Sequence, residues 1–380
     1  MHLKVTDFKK IKIIQKIGCC FILLHKNFYT MSNFYKLNIA EIRGETASAV
    51  SILFTVPSEL KENYTFIAGQ YINLKLTLDG QEIRRAYSLC SSPESGELRI
   101  SVKAVKNGVF SQFANGSLKV NDTLEIGTPE GNFTFEPHFE RQKNYAAFAA
   151  GSGITPVMSI IKSVLVSEPK SSFVLVYGNK SVADTIFHSE IHELQQQYIG
   201  RFFVHYTYSQ TKIDGEIFGR IEKSTVNFVL NTKHDEKEFD KFYLCGPEEM
   251  INTVSDVLKS RNVAEKNIKF ELFTASKIEK TIATDAHLHT HVTMLVDGDE
   301  STFEMSPKQT ILEAALKNGI DAPYSCQGGI CSSCLCRITK GTAEMKKNSI
   351  LTDSEIAEGL VLSCQAIPTS SEIYVDYDDI

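Results

Sequence analysis

Four cysteines near the end of the chain constrain its fold more than any other feature of the sequence. They have the spacing C-x4-C-x2-C, followed by 29 residues and a final cysteine, and they are Cys326, Cys331, Cys334 and Cys364. Three thiolates on one glycine-rich loop and a fourth from a distant strand can hold a [2Fe–2S] cluster. Gly328 and Gly329 favour such a loop, because a Cβ would obstruct backbone N–H groups that turn toward sulfur. Since a cluster of this kind moves one electron at a time, the sequence predicts an electron-transfer domain here.

Two other uses of four cysteines fit the sequence less well. A structural zinc site usually has two C-x2-C pairs, or cysteines mixed with histidines at close spacing. Here one such pair occurs, without a nearby histidine. Disulfides are disfavoured by the odd total of nine cysteines and by the lack of a convincing export signal. Cys336 follows Cys334 by two residues, so alternation along a strand predicts a buried core thiol on the same side.

The length and net charge of the chain restrict the class of protein further. A chain of 380 residues suggests two or three domains, and a hydrophobic content of 42% is enough for proper cores. No apolar run reaches the length of about 18 residues that a membrane span needs. The net charge of −6 gives no support to nucleic-acid binding. From His291 to Ile380 there are six basic and fourteen acidic residues, so this end is either a docking face for a basic protein or simply a soluble surface.

The start of the chain differs from the rest. Residues 1–30 are basic and contain the apolar run Ile17–Leu24, which resembles a signal peptide without a cleavage site. We therefore expect a disordered extension or an artefact of the start site, with Met31 beginning the folded part. Because export is disfavoured, the sequence predicts a cytoplasmic protein.

Three folded segments and a linker are predicted beyond this extension. Residues 31–137 contain short strands separated by turn signals, which predict a small closed antiparallel β-barrel. The turn signals are Asp79-Gly80, Ser95-Gly96, Asn107-Gly108 and Asn115-Gly116. Residues 138–275 alternate strands and helices, which predicts an α/β domain with a parallel sheet. Residues 276–290 have the composition of a linker, and residues 291–380 have an α+β pattern.

The first motif with chemical potential lies on a strand of the predicted barrel. In the segment Arg85-Ala86-Tyr87-Ser88, the guanidinium of Arg85 suits a pyrophosphate, and Tyr87 offers a ring for stacking on a flat cofactor. Ser88 can hydrogen-bond to the reactive edge of such a ring. Downstream, Gly108 and Ser111 form a glycine turn whose backbone N–H groups suit a phosphate. Taken alone, Tyr87 could equally be an aromatic residue of the barrel core.

Two further motifs lie where strands lead into helices. The turn Gly151-Ser152-Gly153-Ile154-Thr155-Pro156 opens a helix, whose N-terminus and free N–H groups favour a pyrophosphate. Pro156 is tolerated there because the first helical turn has no intrahelical N–H bonds to lose. The segment Cys245-Gly246-Pro247 ends another strand. Because ligands of parallel sheets bind at the carboxyl ends of the strands, we expect the two turns to lie side by side.

In this order, the motifs resemble the ferredoxin–NADP reductase superfamily fused to a C-terminal plant-type ferredoxin. The pattern is R-x-Y-S, G-x-x-S, G-S-G-I-T-P, C-G-P and the four cysteines, and it spans nearly everything from Asn33 to Asp379. The segments Gly341–Met345 and Leu362–Ala366 are most similar to the phenylacetyl-CoA epoxidase reductases and related reductases of multicomponent oxygenases. The resemblance implies a flavin-binding barrel, an α/β nucleotide domain and a β-grasp ferredoxin domain.

The resemblance also implies roles for individual residues. It assigns FAD binding to Arg85, Tyr87, Ser88, Gly108 and Ser111, with Tyr87 stacked on the isoalloxazine and Ser88 at N5. It assigns NAD(P)H binding to Gly151, Ser152, Gly153, Thr155, Pro156, Cys245, Gly246 and Pro247, with Thr155 and Cys245 near the nicotinamide. Glu271 and Phe273 match a motif that flanks the flavin, so Ser88, Cys245 and Glu271 are the predicted catalytic residues. Cys326, Cys331, Cys334 and Cys364 are the implied iron ligands.

The nucleotide and the overall function follow as expectations. Lys180 and Ser181 suit the 2′-phosphate of NADPH, although the arginine frequent in NADP-specific relatives is missing after Ser209. We therefore expect NADPH, with NADH as the alternative. The resemblance implies a reductase that feeds an oxygenase. A redox-responsive regulatory subunit and a reductase of a small acceptor are the alternatives.

Overall fold

The described chain begins with an antiparallel sheet. A computed structural model describes residues 34–78, 80–273, 289–306 and 308–380. The predicted extension 1–30, Met31, Asp79 and positions 276–288 of the predicted linker lie outside the described residues. The domain boundaries stay predictions.

The first sheet closes into the predicted barrel. Its strands are β1 Tyr35–Thr46, β2 Ala49–Thr55, β3 Tyr71–Leu78, β4 Gln81–Ser88, β5 Leu98–Lys103 and β6 Thr123–Ile126. They lie in the order β4-β3-β6-β1-β2-β5, and a bridge between Leu89 and Ile100 joins the two edges. Alternating residues such as Leu37, Ile39 and Ile52 fill the interior. This bridge joins the ends of the two edge strands and leaves less of their backbone open to other chains.

The turn signals of the barrel are partly confirmed. Gly80 and Gly96 have φ values of 77° and 67°, which a residue without a Cβ adopts readily. The prediction of a turn at Asn115-Gly116 is wrong, because these residues end a helix, α1 Val109–Gly116. The Asn115 amide donates to the Ser111 carbonyl one helical turn earlier, so a residue typical of turns serves the helix here.

The second sheet is entirely parallel, as predicted. Its strands are β7 Asn144–Ala150, β8 Ser172–Asn179, β9 Phe202–Tyr208, β10 Ile217–Phe218, β11 Lys241–Cys245 and β12 Ile268–Glu271. The helices are α2 Ile154–Ser167, α3 His188–Gln197, α4 Lys223–Phe228, which continues as a π-helical turn Val229–Lys233, and α5 Glu248–Ser260. The order β10-β9-β8-β7-β11-β12 reverses between β7 and β11. A ligand crevice is expected at the carboxyl ends of β7 and β11, because the chain continues from these two strands toward opposite edges of the sheet.

The last part is the expected α+β domain. Its strands are β13 Thr290–Val296, β14 Asp299–Met305, β15 Leu335–Lys340, β16 Ala343–Met345, β17 Leu360–Leu362, β18 Ala366–Pro368 and β19 Glu372–Asp376. Helix α6 Ile311–Lys317 begins with a capping box between Thr310 and Glu313, and helix α7 spans Asp353–Ala357. Five strands form one sheet in the order β14-β13-β19-β15-β17. The cysteine loop lies between α6 and β15, and Cys364 follows β17.

The described residues of Ser32–Ile380 form one compact unit. Among the described residues, no helix has the length and apolar character needed to cross a membrane.

Candidate functional site

The four predicted cluster cysteines form two neighbouring pairs. The Cys331 thiol donates to the Cys326 sulfur over 3.0 Å, and the Cys334 thiol donates to Cys364. These hydrogen bonds lower the pKa of the two accepting thiols, Cys326 and Cys364. Electrostatic interactions couple Cys326 to Cys364 and Cys331 to Cys334, so the pairs are adjacent. Two pairs of cysteine sulfurs side by side suit two irons, whereas no group of three or more ligating side chains surrounds a single ion position among the described residues.

Backbone groups of the loop also turn toward sulfur. The Gly328 N–H donates to the Cys326 sulfur over 3.3 Å. Gly329 has a φ of 70°, and a Cβ there would lie 3.1 Å from the Lys347 carbonyl oxygen. Gln365 donates its side-chain amide to the Gln327 carbonyl and holds the loop beside the fourth cysteine. The loop is therefore shaped as the sequence predicts, and the donor set fits a [2Fe–2S] cluster. Cys336 is fully buried, as expected of a core thiol.

The three predicted catalytic residues come together from three elements. Ser88, at the end of β4, donates to the Glu271 carboxylate over 3.1 Å, and Glu271 ends β12. Burial raises the pKa of Glu271 to about 8, an effect that the hydrogen bond from Ser88 partly offsets. Burial likewise raises the pKa of the Cys245 thiol, and the nearby Glu271 raises it further. Near neutral pH, Glu271 and Cys245 are therefore both mostly protonated and uncharged.

The remaining predicted flavin residues lie on the barrel near this junction. Arg85 is exposed, and its guanidinium donates to the Arg84 carbonyl over 2.7 Å. Tyr87 is partly buried, with its ring centroid 5.4 Å from that of Phe110. Ser111 is buried, where its hydroxyl donates to the Gly108 carbonyl and accepts from the Val105 N–H. The Ser111 side chain thus closes the turn at the start of α1, and only the free N–H groups of that turn remain for a phosphate.

A cavity of about 460 Å³ opens at the carboxyl ends of the parallel strands. The predicted residues that line it are Gly151, Ser152, Gly153, Lys180, Gly246, Pro247 and Phe273. A Cβ on Gly153 would lie 2.1 Å from the Cys245 carbonyl oxygen, so the two glycine turns touch as predicted. This glycine-lined cradle at a helix N-terminus fits the pyrophosphate of a dinucleotide.

Three predicted nucleotide residues have other partners. Thr155 is buried and donates its hydroxyl to the Ser152 carbonyl, which stabilises the glycine turn at the start of α2. Pro156 is buried in the first turn of α2. Ser181 donates to the Asp184 carboxylate over 2.6 Å.

Sequence reasoning missed two basic residues of this cavity. Arg220, which follows β10, and Lys103, which ends β5, both line it. Arg220 lies eleven positions after Ser209, where the arginine frequent in NADP-specific relatives is missing, and it lines the same cavity as Ser209. Because β10 is only two residues long, no hydrophobic periodicity signals it, and the sequence alone could not bring Arg220 to this site.

Comparisons with known families match all three parts. The 2Fe-2S iron-sulfur cluster binding domain family matches residues 294–369, and the oxidoreductase NAD-binding domain family matches residues 148–256. The oxidoreductase FAD-binding domain family matches residues 38–135. A fold of this kind with this site defines a class of redox proteins: oxidoreductases that bind FAD, a nicotinamide nucleotide and a [2Fe–2S] cluster.

Individual relatives narrow the class. The chain is 36% identical to one subunit of the 1,2-phenylacetyl-CoA epoxidase of Escherichia coli K12, over 92% of this chain and 99% of that protein. It is 30% identical to the ferredoxin reductase component of 3-ketosteroid-9-alpha-monooxygenase of Rhodococcus rhodochrous, over 90% of this chain and 96% of that one. The solved phthalate dioxygenase reductase has the same fold, with a TM-score of 0.57 and 24% identity over 90% of this chain and 98% of that one. The chain belongs to the family of FAD- and [2Fe–2S]-dependent oxygenase reductases, as its sequence motifs indicated.

Proposed function

We propose that this protein takes electrons from NADPH and passes them through FAD and its [2Fe–2S] cluster to an oxygenase similar to phenylacetyl-CoA epoxidase. The proposal depends mainly on the contacts that join the three sites. Ser88 of the barrel contacts Glu271 at the edge of the nucleotide domain. Tyr71, paired with Ser88 on the neighbouring strand, contacts Ser332 and Ser333 of the cysteine loop. A relay needs this adjacency, and one relative is by name the ferredoxin reductase component of a monooxygenase.

Bound FAD supplies the conversion between a hydride, which carries two electrons, and the one-electron chemistry of the cluster. The residues of the chain hold the reactants and set their surroundings. The glycine turns at Gly151 and Gly246 would hold the nucleotide, close to the contact between Ser88 and Glu271. A neutral Glu271 and a neutral Cys245 would place no negative charge where a hydride must arrive. Cys245 is fully buried, which limits the access of water to this end of the sheet.

The choice of NADPH rests on basic residues of the cavity. Lys180 and Arg220 line it together with Ser209, and a 2′-phosphate suits two cations beside a hydroxyl. For the variant Arg220→Gln we expect the KM for NADPH to rise about tenfold, the effect of losing one charge-assisted contact. The KM for NADH should change little. An equal change for both nucleotides would contradict the NADPH assignment.

The acidic C-terminal domain supports a protein acceptor. Fourteen acidic against six basic residues between His291 and Ile380 favour a partner with a basic face around its own redox centre. A cytoplasmic location is part of the proposal, because the cysteines must stay reduced in order to bind iron. The seven described cysteines form no disulfide bonds.

Two assays test the proposal at different levels. Steady reduction of cytochrome c by NADPH distinguishes a reductase from a regulatory subunit that does not turn over, and its absence would overturn the reductase function. In the second assay, the protein is added to the oxygenase subunits of the Escherichia coli epoxidase with NADPH and phenylacetyl-CoA. We expect substrate loss coupled to NADPH oxidation at low salt and a slower rate at high salt. Cytochrome c reduction without any coupling would leave a reductase with a different acceptor.

A further inference from the structure

The cysteine loop lies against one face of the β3–β4 hairpin, and the hairpin explains which side chains meet it. Tyr71 pairs with Ser88, Asn73 with Ala86 and Lys75 with Arg84 across the two strands. Directly paired residues of antiparallel strands project from the same face. Tyr71, Asn73, Arg84 and Ser88 therefore share one face, whereas Arg85 projects from the other. Of the two adjacent arginines, the sequence assigned Arg85 to the flavin and left Arg84 without a role.

Polar contacts hold the centre of the loop to this face. The Tyr71 hydroxyl lies 3.3 Å from the Ser332 hydroxyl and 3.1 Å from that of Ser333, the two residues between Cys331 and Cys334. The Asn73 amide donates to the Ser333 hydroxyl over 3.2 Å. The partly buried carboxyl of Glu130 accepts from Asn73 and Ser333. These contacts adjoin two predicted iron ligands directly.

Arg84 of the hairpin makes a second set of contacts with the ferredoxin domain. Its guanidinium donates to the Asp321 carboxylate over 3.0 Å and lies 4.6 Å from the centroid of the Tyr324 ring. Arg84 is only 8% exposed, because Glu82 and the Phe34 ring also cover it. The Asp321 side chain, in contrast, is 80% exposed. A buried cation on the barrel thus meets an exposed anion on the ferredoxin domain.

A third contact is apolar. Ile330, directly before Cys331, packs against the apolar cluster of the parallel-sheet domain. The loop is therefore held by apolar, hydrogen-bonding and ionic contacts, of which the ionic one is the most accessible to solvent and salt.

We propose that the Arg84–Asp321 ion pair is a latch that positions the ferredoxin domain on the barrel for electron entry into the cluster. The inference rests on the proposed function. NADPH delivers two electrons and a proton to the flavin as hydride, whereas the single cluster of the chain accepts one electron at a time. The first electron must therefore leave the cluster for the acceptor protein before the second transfer returns the flavin to its oxidised form, and the proton is released to solvent. Both transfers occur with the latch closed. Arg84 and Asp321 are positioning residues, since neither contacts the reacting atoms.

The test uses the cofactor-loaded full chain with Asp321→Asn, which removes the ion pair at an exposed side chain. The rate of flavin bleaching by NADPH should be unchanged, whereas cluster reduction should slow about fivefold, the effect of losing one partly buried ion pair. Backbone hydrogen exchange in residues 326–333 of the oxidised protein should rise by a similar factor, because exchange follows the undocked population. Asp321→Glu should restore both values, and the matched control Arg43→Gln, which breaks the Arg43–Glu41 ion pair of the barrel, should change neither.

A second variant, Arg84→Gln, tests the same ion pair from its other partner. Arg84→Gln also removes the contact with the Tyr324 ring, so it should slow cluster reduction at least as much as Asp321→Asn does. If Arg84 and Asp321 act as one pair, the double variant should be no slower than Arg84→Gln alone. High salt should slow the native protein and leave Asp321→Asn unaffected. Unchanged cluster reduction and unchanged exchange in both single variants would overturn the latch, while normal flavin bleaching would leave the reductase function standing. Loss of flavin bleaching in the native protein would instead overturn the reductase function.

Discussion

Two partly buried carboxylic acids flank the proposed electron path at the scale of single residues. Glu271 contacts Ser88 on the nucleotide side, and Glu130 contacts Ser333 on the cluster side. Burial raises the pKa of Glu271 to about 8 and that of Glu130 to about 7, and hydrogen bonds from the two serines partly offset this. Near neutrality Glu271 is therefore mostly protonated and Glu130 about half protonated, which reduces the negative charge beside a centre that receives electrons.

Glu271→Gln tests this role through the pH dependence of flavin reduction. The native carboxyl is neutral below its pKa of about 8, so the rate with NADPH should fall as the pH rises through that value. Glutamine stays neutral, so the variant should lack this decline and exceed the native rate at pH 9.5 by about tenfold, the effect of one pKa unit of interaction. The exposed Glu265→Gln is the control. A decline near pH 8 that persists in Glu271→Gln would assign the titration to another group.

Stability should follow the same titration. The folded protein holds a proton on Glu271 that the unfolded chain releases above the ordinary pKa of 4.5. The contribution of this group to the free energy of unfolding is therefore complete below pH 4.5 and is lost as the pH rises toward about 8. Urea unfolding of Glu271→Gln should show a weaker decline across this window than the native protein does. Equal slopes would contradict the raised pKa.

Cys331→Ser tests the cluster ligands individually. The variant should lose the EPR signal of the reduced [2Fe–2S] centre and keep NADPH-to-flavin reduction, because the cysteine loop lies outside the nucleotide cavity. Cys336→Ala is a matched control, since this thiol is buried two residues beyond Cys334 in the same domain. A normal EPR signal in Cys331→Ser would refute the ligand assignment.

At the scale of elements, the contact between two glycine turns fixes the nucleotide cavity. A Cβ on Gly153 would lie 2.1 Å from the Cys245 carbonyl oxygen, and a backbone atom cannot move aside as a flexible side chain can. Gly153→Ala should destabilise the protein by roughly 1–3 kcal/mol, as overpacking does, and should raise the KM for NADPH. Gly44→Ala, where a Cβ meets nothing within 4 Å, is the control for urea unfolding and kinetics. Equal behaviour of the two variants would contradict the close approach.

The sequence predicted most of the elements, because their signals are local. The long apolar helix α2 and the strands β7 and β11 carry strong periodicity and begin or end at glycine turns. The two-residue strand β10 has no such signal and was missed. The turn predicted at Asn115-Gly116 was wrong, because asparagine and glycine favour helix ends as well as hairpin turns.

At the scale of the whole molecule, the site depends on contacts that no local pattern contains. Motif spacing predicted the four cysteines, and the family resemblance implied Ser88, Cys245 and Glu271. The sequence could not show, however, that Ser88 contacts Glu271 across 183 positions. Nor could it distinguish the environments of two adjacent arginines, since Arg84 is defined by Asp321, 237 positions away. Strand register and domain docking supply this information, and they depend on the packing of the complete fold.

In the proposed function, electrons move in order from NADPH through the flavin to the cluster within one chain. Anaerobic stopped-flow mixing of the purified protein with NADPH, followed through the visible absorbance of flavin and cluster, resolves this order. Flavin absorbance should bleach first, and cluster absorbance should then fall as electrons leave the flavin. Flavin bleaching that leaves the cluster oxidised, or a cluster reduced before the flavin, would overturn the proposed order.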